Sequence, residues 1–202
     1  MRHPVSPFSF ARAIFVSFFL GFFAAAAQAG PVEDAVSQIR VRYHEIESAA
    51  LRSEVLTFEA TDGPESGTLT RYYRGPELVK AALSYSLGDH GGADESFYYL
   101  QGQLCFVFAA SSSWRFTGRT LANGEEETID ESVEQRIYFH EGKVIRDLRK
   151  VVPVPSGQNP APLLKAADNQ PFTDPDTEAR VWRWGMGLPG LGSAQQALAL
   201  FR

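Results

Sequence analysis

The strongest pattern of apolar positions lies in the stretch from Asp94 to Ala110. Two apolar runs, Phe97–Leu100 and Leu104–Phe108, stand on either side of a short segment that carries Gly102. Aromatic and β-branched residues fit a pleated, buried surface, and glycine supplies the positive φ of a tight reversal. The pattern therefore predicts a β-hairpin. Because the second run is apolar at every position, it predicts a strand with both faces covered.

The same frame of residues occurs twice more, in segments 71–79 and 136–145. Each unit has an aromatic pair, a glycine at the turn and an apolar residue that begins the return strand. The aligned positions are Tyr72, Tyr98 and Tyr138, then Tyr73, Tyr99 and Phe139, then Leu78, Leu104 and Val144. In the first unit Gly75 comes one place early and Pro76 follows it, so we expect a different turn type there. Three such hairpins in series predict about six antiparallel strands.

An aromatic pair, a glycine turn and a Leu or Val on the return strand resemble the variant MORN-type hairpins of secreted bacterial proteins that have no assigned function. The resemblance covers about residues 66–150. It implies a meandering antiparallel sheet, and it brings no catalytic residue with it.

The first 29 residues have the pattern of a secretory signal peptide. Arg2, His3 and Arg12 precede or border an apolar run over 13–27, and Ala27-Gln28-Ala29 forms an A-x-A cleavage site. The apolar run has about 15 residues, whereas a bilayer span needs about 20. We therefore expect cleavage after Ala29 and a periplasmic or secreted protein with no stable membrane span. An uncleaved anchor is the alternative.

Charge and cysteine content limit the functions that the chain can have. Cleavage would remove two basic residues and no acidic residue, which changes the net charge from −5 to −7. A surface of that sign argues against nucleic acid and anionic lipid as partners. Cys105 is the only cysteine, so the chain has no internal disulfide. Its position in an apolar run predicts a small buried side chain rather than a nucleophile.

Outside the hairpins the pattern predicts helices at both ends. Apolar residues at helical spacing predict one helix from Pro31 to about Leu51, whose charged residues, including Arg40 and Glu47, would form a mostly solvated face. A Pro-rich change in composition begins at Val151, and short helices are expected beyond it, the last capped by Ser193. The expected fold class is α+β: a helix on a curved antiparallel meander sheet of six to eight strands, spanning 30–150, with a packed C-terminal extension over 151–202.

Three clusters of residues are candidates for chemistry. Asp89, His90 and Asp94 lie in a predicted loop and carry metal-ligating groups, although no second spaced His accompanies them. The acidic run over 122–131 does not match an EF-hand and is most simply a solvated connection. No catalytic motif is present, so a hydrolase or metal-dependent enzyme that uses the 89–95 loop with His44 or His140 is only an alternative.

The aligned Tyr72, Tyr98 and Tyr138 are the third candidate, because one aromatic ring per hairpin would form a stripe across one sheet face. The stripe could receive a small apolar or amphipathic ligand, or it could pack under a helix or the C-terminal extension. The sequence favours a non-enzymatic binding or interaction protein without a cofactor, whose partner is an unidentified small molecule or protein. A protein adaptor that docks through residues 182–201 is a further alternative.

Overall fold

The computed structural model describes residues 30–63, 65–88, 91–155 and 158–202. The predicted signal peptide lies outside it. The helices are α1 (Pro31–Glu47), α2 (Ala161–Ala166), α3 (Pro175–Gly187) and α4 (Ala194–Leu198). The strands are β1 (Arg52–Glu59), β2 (Glu65–Arg74), β3 (Glu77–Leu87), β4 (Gly92–Leu100), β5 (Gln103–Thr120), β6 (Glu126–His140), β7 (Lys143–Val154) and β8 (Gln170–Pro171).

The eight strands form one antiparallel sheet in chain order, from β1 to β8. This confirms the predicted α+β class and the meander. The sheet is open and uncurled, whereas we expected a curved one. The edge strand β8 pairs only with Leu148 and Arg149, so the rest of β7 is itself an edge. An edge strand tolerates a residue without an N–H, which explains how Pro153 can lie within β7.

The three hairpins turn in two different ways. In the second and third, Gln101 and Gly102 have φ of 52° and 76°, and Glu141 and Gly142 have 50° and 75°. Positive φ at both central positions is the mark of a type I′ turn. In the first hairpin Gly75 has φ of 59°, and the following proline fixes a negative φ, as in a type II′ turn. The expectation of a different turn in the first unit is confirmed.

All three hairpins also shift register at the same place. The second member of each aromatic pair faces the expected apolar residue, in the pairs Tyr73–Leu78, Tyr99–Leu104 and Phe139–Val144. The first member faces a residue one place further along, in the pairs Tyr72–Lys80, Tyr98–Phe106 and Tyr138–Arg146. One residue of each return strand is therefore extra, which is a β-bulge. The aligned units are equivalent in space as well as in sequence.

The bulges direct an additional apolar side chain toward α1. The three bulged residues, Val79, Cys105 and Ile145, all belong to the apolar cluster beneath that helix. Cys105 is buried, its thiol donates to the carbonyl of Tyr98 at 3.3 Å, and burial raises the pKa of the thiol to about 12. The prediction that it is a small buried side chain is confirmed.

The helices from the two ends of the chain cover opposite faces of the sheet. On the first face, hereafter the α1 face, Val36, Ile39 and Ile46 pack against the sheet. On the second, hereafter the tail face, Val181 and Trp184 of α3 pack together with later residues of the C-terminal extension. Side chains of Leu104–Phe108 enter both clusters, which confirms that this run is covered on both sides.

Polar contacts fix the C-terminal extension to the tail face. The hydroxyl of Tyr99 donates to the carbonyl of Gly185 at 2.7 Å. Arg180 donates two hydrogen bonds to the buried carboxylate of Glu95, at 2.9 and 3.3 Å. Arg71 reaches two backbone carbonyls of the segment that follows α3, at 2.8 and 3.2 Å. Bidentate pairing of this kind adds orientation as well as energy, so the extension is held in one position.

Helix limits follow the predictions closely. The first helix ends at Glu47, a few residues before the expected Leu51. In α4 the side chain of Ser193 accepts from the amide of Gln196, so the predicted N-cap is confirmed. A turn of 3₁₀ helix at Ala199–Phe201 continues α4.

Two predicted connections are strand instead. The segment expected to be a loop over 89–95 enters β4 at Gly92, and the acidic run over 122–131 enters β6 at Glu126. The segment Ser111–Thr120 also continues β5. Pairing between two long strands provides the backbone hydrogen bonds that the local composition gave no reason to expect. The composition change at Val151 likewise precedes the end of β7 at Val154.

Candidate functional site

One row of residues crosses the α1 face from β2 to β7 in continuous cross-strand register. Its members are Tyr72, Lys80, Tyr98, Phe106, Tyr138 and Arg146. The three tyrosines that the sequence aligned therefore lie in a single row, hereafter the aromatic row. The bulges complete it, because without them Lys80, Phe106 and Arg146 would point to the other face of the sheet.

The helix α1 lies along the aromatic row and is held at both ends. Near its start Glu33 pairs with Arg146, and at its end Glu47 pairs with Lys80 at 2.7 Å. Between these ion pairs Tyr43 packs against the row, with ring centroids 5.2 Å from Tyr98 and 5.7 Å from Phe106. The helix is thus positioned relative to the row by charge at its ends and by aromatic contact in its middle.

The three aligned tyrosines have different surroundings. Tyr98 is 3% exposed, and its hydroxyl donates to Glu47 at 3.0 Å. Burial and the Glu47 carboxylate both raise its pKa, so the phenol stays protonated as a donor. Tyr72 is half-buried near the sheet edge, 5.5 Å from the Lys80 ammonium. Tyr138 is also buried, but it lines a cavity beside α1.

This cavity, hereafter the α1 pocket, has a volume of about 290 Å³. Four aromatic rings contribute to its lining, together with Ile39 and three side chains that carry or can carry positive charge. The rings are those of Tyr43, Phe106, Phe108 and Tyr138, and the polar side chains are those of Arg40, His44 and Arg136. An apolar lining with a few convergent polar groups is the usual construction of a small-molecule site.

The two guanidinium groups of the α1 pocket differ in their partners. Arg136 donates to Glu134 at 2.8 Å and to Asn169 at 3.0 Å, and it lies 4.9 Å from the ring of Phe108. Its charge is therefore balanced. Arg40 is exposed and sits 5.9 Å from the ring centroid of Tyr138, and it forms no salt bridge within the described residues. Glu33 attracts Arg40 at longer range but is itself paired with Arg146, so Arg40 is the less compensated of the two guanidinium groups.

The predicted metal site stays a prediction, because only one of its three residues, Asp94, belongs to the part of the chain that the structure describes. Asp89 and His90 lie outside the described residues, so their placement is not tested. Asp94 and Glu95 are consecutive in β4 and point to opposite faces of the sheet. Glu95 is occupied by Arg180 on the tail face, whereas Asp94 is exposed on the α1 face. Among the described residues no group of three His, Cys, Asp or Glu side chains could hold a metal ion.

The histidines named for an enzymatic site are also dispersed. His140 precedes the β6–β7 turn, at the end of the sheet opposite the β3–β4 turn, and 4.0 Å separates it from Glu141. His44 lies on α1 with its ring 5.2 Å from that of Tyr43. Within the stretch 182–201 considered for docking on a partner, Trp184 and Ala197 belong to the core.

Several residues of the α1 pocket were not identified from the sequence. Phe108 and Arg136 lie two residues from Phe106 and Tyr138 on their strands, so strand alternation would have placed them on the same face. Arg40 was assigned to a solvated helix face. What the sequence could not give is the position of α1 on the sheet, since that depends on the ion pairs at its two ends.

Comparison with known proteins adds no identification: no family model matches the chain, nor does any curated protein or solved structure. Within the residues that the structure describes, no helix is long and apolar enough to cross a membrane.

Proposed function

We propose that this chain is an exported, non-enzymatic binding protein that holds a small amphipathic anion in the α1 pocket. One observation carries the proposal: Arg40, without a salt bridge among the described residues, stands at a cavity lined by the rings of Tyr43, Phe106, Phe108 and Tyr138. The rings would contact the apolar body of the ligand, and the guanidinium would pair with its single anionic group.

Charge supports a ligand with one negative group. Arg136 already has Glu134 as its partner, so a dianion would meet only one guanidinium without a salt bridge among the described residues, that of Arg40. The pocket therefore favours a ligand with a single anionic group.

Size supports a small ligand. The volume of about 290 Å³ lies at the lower limit of the range of about 300–1,000 Å³ that is typical of ligand sites. A fused pair of aromatic rings or a short acyl chain matches such a cavity, and a long lipid does not.

Matched probes can test the proposal. Naphthalene-2-carboxylate and naphthalene-2-methanol have the same apolar body and differ in charge, and calorimetry would give their affinities for the mature protein. We expect the wild type to bind the carboxylate more tightly than the alcohol. Arg40→Gln should lower the affinity for the carboxylate by about tenfold and should hardly change the affinity for the alcohol. Equal binding of the two probes by the wild type would contradict the proposal.

Arg52→Gln is a matched control variant. Arg52 is also exposed and also lies over a tyrosine ring, 4.3 Å from the centroid of Tyr73, but it is on the edge strand β1. The control removes the same charge and the same type of contact away from the pocket, so carboxylate binding should remain. If Arg52→Gln weakens binding as much as Arg40→Gln, the effect reflects net charge rather than the α1 pocket.

Export is the second part of the proposal, and it rests on the pattern of residues 1–29. Expression of the full chain in a Gram-negative host, followed by intact-mass measurement of the periplasmic fraction, tests it. We expect a mass that corresponds to a chain beginning at Gly30. A full-length product in the cytoplasm would show that the N-terminal segment is not a signal peptide in that host.

A further inference from the structure

The β5–β6 hairpin extends beyond its neighbours as a two-stranded arm. The pairing of β4 with β5 ends at Gly92 and Ser112, and the pairing of β6 with β7 ends at Asp130 and Val154. Beyond these positions β5 and β6 pair only with each other, as far as Thr120 and Glu126. One surface of the arm is thus continuous with the α1 face, at the end that α1 does not cover.

This surface presents aromatic rings beside hydroxyl and carboxylate groups. Trp114 and Phe116 are 47% and 53% exposed, large fractions for such apolar rings, and their planes meet at 85° with centroids 5.2 Å apart. Each has a polar residue directly across on β6, in the pairs Trp114–Asp130 and Phe116–Thr128. The next pair toward the sheet is Ser112–Ser132.

Two adjoining hollows lie along this surface. The larger has a volume of about 670 Å³ and is lined by residues that include Trp114, Asp130 and Gln158. The second, about 350 Å³, includes Asp94 in its lining. They share Ser112, Ser132 and Pro160, so they form one groove, hereafter the arm groove, that runs from the arm onto the α1 face. Its size exceeds that of a single small ring and suits a chain of linked rings.

We propose that the arm groove binds a neutral oligosaccharide. The apolar face of a sugar ring would pack on the indole of Trp114, as large aromatic rings offer much contact area at low conformational cost. Ser112, Ser132 and Gln158 supply neutral donors and acceptors, and Asp130 and Asp94 accept hydrogen bonds from hydroxyl pairs through two oxygens each. Ring contact combined with several neutral and acceptor-only polar groups is the chemistry that recognises a polyhydroxylated ring.

Charge distinguishes this ligand from the other candidates. Among the described residues that line the groove, the charged side chains are the carboxylates of Asp94 and Asp130, which disfavours an acidic sugar or a phosphate. A quaternary ammonium is bound best by several rings around one centre, whereas Trp114 is the only aromatic residue among the described residues that line the larger hollow. The reverse surface of the arm is different, since it carries the ion pairs Arg115–Glu131 and Arg119–Glu127.

The test is calorimetric titration of the mature protein with chitotetraose, cellotetraose and maltotetraose, and with choline and tetralysine as cationic probes. We expect at least one neutral tetrasaccharide to bind saturably. Trp114→Ala should lower the affinity for this tetrasaccharide by about tenfold or more, as is usual for a tryptophan at the centre of a site. Asp130→Asn should lower the same affinity several-fold. Arg40→Gln, which alters the separate α1 pocket, should leave it unchanged.

The outcomes are decisive in both directions. Val55→Ala, which trims an exposed apolar residue of β1, is the control and should retain full binding. If Trp114→Ala does not fold, Asp130→Asn decides alone, because it preserves shape. The proposal is overturned if no tetrasaccharide binds at about 10 mM, a concentration sufficient for even millimolar affinity. It is also overturned if the variants bind like the wild type or if the cationic probes are preferred.

Discussion

Glu47 and Lys80 join the end of α1 to the first half of β3 through an ion pair of 2.7 Å. The same carboxylate oxygen accepts from the hydroxyl of Tyr98, and the Lys80 ammonium lies between the rings of Tyr72 and Tyr98, at 5.5 and 5.3 Å. Since the Lys80 side chain is only 16% exposed, this pair is screened less than a surface ion pair. It sets where the helix ends along the aromatic row.

A double-mutant cycle with Glu47→Gln and Lys80→Met should therefore show coupling. We expect each single change to lower the free energy of unfolding by about 1 kcal/mol and the double change to cost less than the sum. Chemical denaturation of the four proteins measures this. Arg52 and Glu54 form an exposed pair on β1, so a parallel cycle there should show coupling near zero. Equal coupling energies in the two cycles would show that the Glu47–Lys80 pair stabilises the fold no more than an exposed ion pair does.

Two glycines of α3 should respond in opposite ways to substitution by alanine. A Cβ at Gly185 would lie 2.6 Å from a methyl carbon of Leu104 and 3.1 Å from the ring of Phe97, so Gly185→Ala should destabilise by about 1–3 kcal/mol. At Gly187 no atom of the described residues would lie within 4 Å of a Cβ, and Gly187→Ala should stabilise the helix by up to about 1 kcal/mol. Thermal unfolding separates the two results. Similar effects from both would mean that α3 does not pack closely at Gly185.

The turn residues Gln101 and Glu141 offer a route to greater stability. Both have positive φ, which costs free energy for a residue with a Cβ other than Asn or Asp. Gln101→Asn and Glu141→Asn create the Asn-Gly sequence that type I′ turns favour, so each should raise the free energy of unfolding by about 0.5 kcal/mol. Gln103→Asn is the control, because Gln103 is a strand residue directly after the Gln101–Gly102 turn. It should not raise the free energy of unfolding.

Asp147 should make stability depend on pH. The side chain is 6% exposed, Gln135 donates to one of its oxygens at 2.8 Å, and the other oxygen has no hydrogen-bond partner within the described residues. Burial raises its pKa to about 6, and the nearby carboxylates of Glu178 and Asp174 act in the same direction. The folded state therefore holds a proton that the unfolded state loses at lower pH, near 3.8.

The sign of the effect follows from this difference in proton binding. Between about pH 4 and 6 the folded state binds more protons, so the contribution of Asp147 to stability falls as the pH rises and is constant above that range. Asp147→Asn removes this fall. Denaturation of both proteins from pH 4 to 7 measures this. Over that range the free energy of unfolding of the variant should rise by about 2–3 kcal/mol relative to that of the wild type. A difference that stays constant over this range would contradict the raised pKa.

The sequence by itself determined the repeated hairpin and hence the meander. Aromatic pairs, turn glycines and apolar return residues occur at fixed offsets, and these local signals act within about ten residues of one another. Tyr99 and Leu104, for example, could be paired from spacing alone, and the structure pairs them. Helix α1 and the N-cap Ser193 were predictable for the same reason, because caps and helical periodicity are local properties.

Only the tertiary structure decided which surfaces are covered and where cavities remain. In the sequence, Arg40 looks like any other charged residue of a solvated helix face. It lies at a pocket because the ion pairs of Glu33 and Glu47 position α1 along the aromatic row. Trp114 gave no local sign that β5 would extend as an arm, since that depends on pairing with β6 and on where the neighbouring strands end. Such features arise from contacts between distant segments, whose relative position is set by the summed packing of both sheet faces rather than by any local pattern.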